Sequence, residues 1–238
     1  MSLLSHFLKN ASKQFQNNSK KAFNIDELLN WRKELELINF KKESPSSLTE
    51  KFIIGSDADI GGKSSVNLSL NDCGHAVFSG NISPYMPNYL EIKVHGYAAF
   101  KLKTPENGFF ESELFDTLPF RYLALRVRGT NGKNGMPPIR RFTVNIQTDS
   151  LIPSDLFQHR LFLNKPGEWE TVLIPFNEFV LTNDGAVEPQ QMSMFREKVK
   201  SIGISLLDQK PGPFKLEIDW IKAYNSPYTD GDMDIVPE

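Results

Sequence analysis

From about residue 49 onward, apolar and polar positions alternate with a period of two. The alternation is clearest in Leu123/Leu125/Val127, Phe142/Val144/Ile146, Ile202/Ile204/Leu206 and Phe214/Leu216/Ile218/Trp220. It predicts strands at 49–55, 63–70, 74–80, 89–102, 121–128, 140–148, 158–163, 168–174, 199–207 and 213–223. Turn residues separate them: Gly-Thr-Asn-Gly at 129–132, Lys-Pro-Gly at 165–167 and Pro-Gly-Pro at 211–213. One apolar and one polar face per strand is what an antiparallel sandwich requires. No long helical stretches alternate with the strands, which argues against a βαβ fold. The predicted class is all-β, a sandwich over residues 49–224.

The N-terminal part follows a different pattern. Leu28, Leu29, Trp31, Leu35 and Ile38 make a helical stripe within 26–39, with Asn24 or Asp26 as a cap. Residues 41–47 read as a linker broken by Pro45, so 26–48 is predicted to be a short helical extension and linker. Residues 1–25 contain no acid before Asp26 and carry Lys9, Lys13, Lys20 and Lys21. Leu4, Phe7, Leu8, Ala11 and Phe15 fall on one helical face. This is the pattern of a mitochondrial targeting segment, although its first arginine comes only at Arg32; a polar tail on a cytosolic protein is the alternative. Residues 225–238, with Asp230, Asp232 and Asp234, read as an acidic tail.

Composition narrows the function. At 238 residues and 39% apolar content the chain suits one sandwich with a short extension. A formal net charge of −2 gives no basic field for nucleic acid. Cys73 is the one cysteine, so the domain is not built on disulfides. No run approaches the roughly 20 apolar residues of a membrane helix.

Candidate chemistry is sparse. Asp57-Ala-Asp-Ile-Gly-Gly-Lys-Ser64 ends like a phosphate-binding loop, but Asp57 stands where the first glycine belongs, and Val66–Leu70 alternates like a strand instead of opening a helix. The segment is therefore expected to be a structural loop, with Gly61 and Gly62 supplying unusual backbone angles and Asp57 and Asp59 bonding free amides. Cys73 and His75 are too few for a zinc site, and His6, His95 and His159 are scattered. Glu111, Glu113 and Asp116 read as a solvated loop. No metal or other cofactor is expected. A calcium ion held by Asp219, with Asp57 and Asp59 as companions, is a weaker alternative.

The strand phase turns Arg126, Arg128 and Arg141 away from the core, together with Lys215, Glu217 and Asp219. If these strands are neighbours, Arg126, Arg128, Arg141 and Glu217 form a mixed-charge outer face suited to a protein partner. Trp169 and Trp220 fall in alternating apolar strands and are expected in the core, which leaves no aromatic platform for a sugar.

Six segments occur in the order found in the complex I intermediate-associated protein 30 family. They are Ser56-Asp57 through Gly61-Gly62-Lys63-Ser64, Ala76–Gly80, Tyr122–Gly129, Gly167–Phe176, Ile202-Gly-Ile and Gly212–Ile221. The chain resembles that family over about residues 50–224. The resemblance implies a galactose-binding-type jelly roll without catalytic residues. It also implies a chaperone that binds complex I subunits and other assembly factors. Such a protein would sit on the matrix side of the mitochondrial inner membrane, associated with it peripherally through partners at most. A carbohydrate-binding module and an enzyme on the same fold are the alternatives from other classes.

Overall fold

A cluster of phenylalanine rings marks the centre of the molecule. Phe78 lies 5.0 Å from both Phe100 and Phe214 and 6.2 Å from Phe142, while Phe40 stacks on Phe52 at 5.3 Å. The rings are edge-on or tilted in most of these pairs, as aromatic quadrupoles prefer. The computed structural model describes residues 34–85, 95–104, 114–130, 132, 140–150, 152, 154–183, 185–208 and 210–225.

Two antiparallel sheets enclose this cluster. Their strands are β1 (Glu34–Asn39), β2 (Phe52–Ser56), β3 (Ser65–Leu70), β4 (Ala76–Ile82), β5 (Ala98–Leu102), β6 (Tyr122–Gly129), β7 (Phe142–Thr148), β8 (Asp155–Arg160), β9 (Glu170–Pro175), β10 (Val180–Asn183), β11 (Ala186–Val187), β12 (Val199–Leu206) and β13 (Gly212–Tyr224). The first sheet has the order β3-β4-β13-β6-β9, with β1 also paired to β13. The second has the order β11-β10-β8-β7-β12-β5-β2. The fold is an all-β jelly-roll sandwich, and each predicted strand overlaps an observed one, although 49–51 is helical and 95–97 is not strand. Part of the predicted strand 89–102 lies outside those residues; its described part forms β5.

The N-terminal extension holds a short helix, as expected, but at other residues than expected. Residues 26–33 lie outside the described set, and 34–39 is a strand, not the end of a helix. Glu34 and Glu36 alternate with Leu35 and Leu37, and pairing with β13 satisfies backbone groups along one edge of the segment. Among the described residues the sandwich therefore starts at Glu34. The short helix is α1 (Pro45–Lys51), inside the stretch read as linker and first strand. Pro45 opens it: Ser44 caps the helix, Ser47 bonds back, and a proline at the first helical position gives up no hydrogen bond.

Strand β13 organises the first sheet. Its residues 212–218 pair with β4 and residues 220–224 with β1, while β6 runs alongside both halves. Between Ile218 and Trp220 the register shifts. Leu216 and Ile218 face the core before this bulge, and Ile221 and Ala223 after it. The extra residue reverses the phase, so Trp220 and Lys222 face outward.

Candidate functional site: the outer face of the first sheet

In β9, Val172 and Ile174 turn towards the core, and Glu170 turns the same way. Glu170 is buried and accepts the backbone N–H groups of Asn164 and Lys165 at 3.1 Å, which fixes the β8–β9 turn. The same phase sends Trp169, Thr171 and Leu173 outward. Trp169 is half-buried, not core. Its ring lies 4.6 Å from that of His75 and 4.9 Å from the Arg128 guanidinium. His75 precedes β4 and Trp169 precedes β9, so the contact passes over β13 and β6.

Arg126 and Arg128 face outward, and Arg128 pairs with Glu217 directly across β13. Glu217 also accepts from Lys215 at 2.9 Å. Burial pushes the Glu217 carboxyl up, but the hydrogen bonds and charges of Lys215 and Arg128 outweigh this and hold it below its ordinary range. Arg126 has no such partner among the described residues. Its guanidinium reaches the Thr171 hydroxyl at 3.4 Å and lies 6.0 Å from the Trp169 ring. Trp220 stands across from Arg126, with the Lys222 ammonium 4.9 Å from its ring. Lys222 pairs with Glu34. Leu173, 42% exposed, adds an apolar neighbour on the edge strand.

Three sequence expectations change here. Arg141 is exposed, but it leads into β7 of the second sheet and does not share a face with Arg126 and Arg128. Trp169 and Trp220 belong to the outer face and, with His75, give it the aromatic surface that the sequence reading denied it. Asp219 sits at the bulge, its Oδ2 held by Lys41 at 3.0 Å. Among the described residues no three His, Cys, Asp or Glu side chains converge, and Asp219 does not meet Asp57 and Asp59.

Those two acids accept backbone amides. Asp57, fully buried, accepts the Ser64 N–H at 2.9 Å and the Gly96 N–H at 2.6 Å. Asp59 accepts the Ser56 N–H at 3.3 Å. Gly61 has a positive φ of 95° and ends the 3₁₀ turn 57–60. A Cβ on Gly62 would collide with the Asp57 carboxylate. The Asp57 carboxylate thus packs against the Gly62 backbone inside the loop, and Lys63 lies over the Tyr85 ring at 4.0 Å. Cys73 is exposed. Asp116 accepts the Leu118 N–H at 3.0 Å, while Glu111 and Glu113 lie outside the described residues.

The complex I intermediate-associated protein 30 family model matches residues 38–218. The mitochondrial protein of that name from Neurospora crassa is 37% identical over 214 residues, covering 80% of this chain and 73% of that protein. Its namesake from Mus musculus is 33% identical over 179 residues, covering 75% of this chain and 53% of that protein. Among solved structures, the family 11 carbohydrate-binding module of a Clostridium thermocellum cellulase superposes with a TM-score of 0.51 at 16% identity, covering 81% of this chain and 95% of the module. That likeness is one of fold alone. The family model spans the sandwich from β1 into β13, and the chain belongs to the complex I intermediate-associated protein 30 family.

Proposed function

We propose that this protein is a non-catalytic assembly factor for mitochondrial respiratory complex I, acting on the matrix side of the inner membrane and holding assembly intermediates against the outer face of the first sheet. Complex I subunits and other assembly factors are its partners, with peripheral contact to the membrane made through them. Family membership supports the process, since relatives named for complex I intermediates and for mitochondria align with most of the chain. The face is chosen on one observation: Trp169, Trp220 and Arg126, an arginine without a carboxylate partner among the described residues, lie together on the outer sheet surface. Aromatic residues and arginine dominate the energetics of protein interfaces.

The test is a comparison of variants in isolated mitochondria. Arg126→Ser with Trp169→Ala should fold yet lose co-migration with assembly intermediates on native gels. Arg141→Ser, on the other sheet, should keep it. Full co-migration of the double variant would move the client elsewhere. A sugar-binding reading shares the tryptophans but is less well served, because Arg128 occupies space beside Trp169 that a stacked sugar ring would need. Binding of a β-glucan oligosaccharide that disappears with Trp169→Ala would favour it.

A further inference from the structure

The second sheet carries a groove on its own outer face, away from Trp169. Five neighbouring strands contribute: Ile53 and Gly55 from β2, Ala99 and Lys101 from β5, Ser201 and Gly203 from β12, Asn145 and Gln147 from β7, and Leu156 from β8. Its volume is about 210 Å³. With strands roughly 4.8 Å apart, a groove crossing five of them is about 19 Å long, the span of about six residues of extended chain. That shape suits a linear polymer running across the strands.

The floor is low because its residues are small. At Gly203 the close approach of β12 to β5 enforces this, since a Cβ there would run into the Phe100 carbonyl. Ile53, Leu156 and Tyr97 add apolar surface. Along the floor the polar groups are held in place. The Asn145 amide donates to Ser205 Oγ at 3.0 Å and accepts from Gln158 at 2.8 Å. These two bonds fix its orientation and leave one N–H and one lone pair, the complement of a peptide group. Gln147 accepts from the Lys101 ammonium at 3.2 Å.

Charge selects among peptides. Among the described residues Lys101 is the one charged residue lining the groove, no acid lines it, and no carboxylate lies within ion-pair distance of Lys101. Two residues on, Lys103 also has no carboxylate partner among the described residues; its ammonium rests on the Thr49 carbonyl. Asp59 stands at the far end beside Gly55 and is engaged with Ser56.

We infer that this groove binds an extended, acidic segment of polypeptide, placing a carboxylate beside Lys101. The choice of polypeptide over another linear polymer rests on the assembly-factor reading; the groove and its charge do not.

A phage-displayed octapeptide library panned on the purified full chain tests this. Wild type should enrich clones bearing Asp or Glu, and Lys101→Glu should enrich Lys or Arg instead. A fluorescein-labelled peptide of the leading clone should bind Lys101→Glu at least tenfold more weakly and should not bind Ala99→Trp, which fills the floor. Lys101 is exposed, so its variant decides the matter even if Ala99→Trp does not fold. Three results would overturn the inference: a library that does not enrich, clones indifferent to the charge at position 101, or binding of a mixed-linked β-glucan tetrasaccharide, in place of any peptide, that Ala99→Trp abolishes. The assay contains no complex I subunit, so it can fail while the Trp169 comparison succeeds, and the reverse.

Discussion

Replacing Asp57 by alanine removes a carboxylate that answers two buried backbone amides, those of Ser64 and Gly96. Through them it ties the β2–β3 loop to the segment entering β5; the Asp57 N–H reinforces this by donating to the Tyr97 carbonyl. Each buried donor left without an acceptor costs about 1–3 kcal/mol. Two together give a loss of about 4 kcal/mol, within the additive range of ~2–6. At roughly 2–4 °C per kcal/mol for a domain of this size, the melting temperature should fall by about 8–16 °C. Asp57→Asn keeps one acceptor oxygen but turns an NH₂ towards the second amide, so it should fall between alanine and wild type. Urea unfolding followed by tryptophan fluorescence measures the difference by linear extrapolation. A loss below about 1 kcal/mol for alanine, with an unchanged denaturant slope, would refute the latch and mean that water answers both amides as well.

Two further outcomes follow from buried charge. The folded Glu217 carboxyl lies below its ordinary value of 4.5, so its stabilisation is complete above that value and is lost as pH falls through the lower folded one; Glu217→Gln should be less stable than wild type at pH 6, and the gap in urea midpoints should narrow as pH falls below 4.5, whereas a constant gap would contradict the assignment. Arg140 and Asp208 form an ion pair at 2.9 Å with side chains 3% and 0% exposed, so Arg140→Ala should cost about 3–5 kcal/mol by urea unfolding, and adding Asp208→Ala should recover part of it.

Much of this architecture could be read from the period-two pattern, because burial of one strand face leaves a strong signature. The failures occur where a tertiary contact overrides a local pattern. Leu28, Leu29, Trp31, Leu35 and Ile38 fit a helix, while Glu34–Leu37 alone fits a strand; the unpaired edge of β13 decides for the strand over the described part. Trp220 looked like core because Phe214, Leu216 and Ile218 precede it in step, and nothing in the residue types announces the bulge that turns it outward. Trp169 was within reach, since counting back from Ile174 and Val172 places Glu170 inward and Trp169 outward. The short strands β10 and β11 carry too few residues for an alternation to register. Arg141 shares the outward phase of Arg126, but phase tells which side of its own sheet a residue faces and not which sheet it belongs to.

The pairing of β1 with β13 sets how the domain responds to tension. Glu34 stands opposite Tyr224, and the Lys222–Glu34 ion pair joins residues 188 positions apart. Glu34 and Tyr224 therefore stand side by side, at the same end of one ladder. A pull on them in opposite directions loads the rungs one after another, as a zipper is loaded, and not all at once as in shear. β1 should peel away residue by residue at low force, leaving the paired β13–β6 ladder behind it intact. In folding the order reverses: β1 closes the longest loop among the described strand pairs and docks onto a β13 that β4 and β6 already hold.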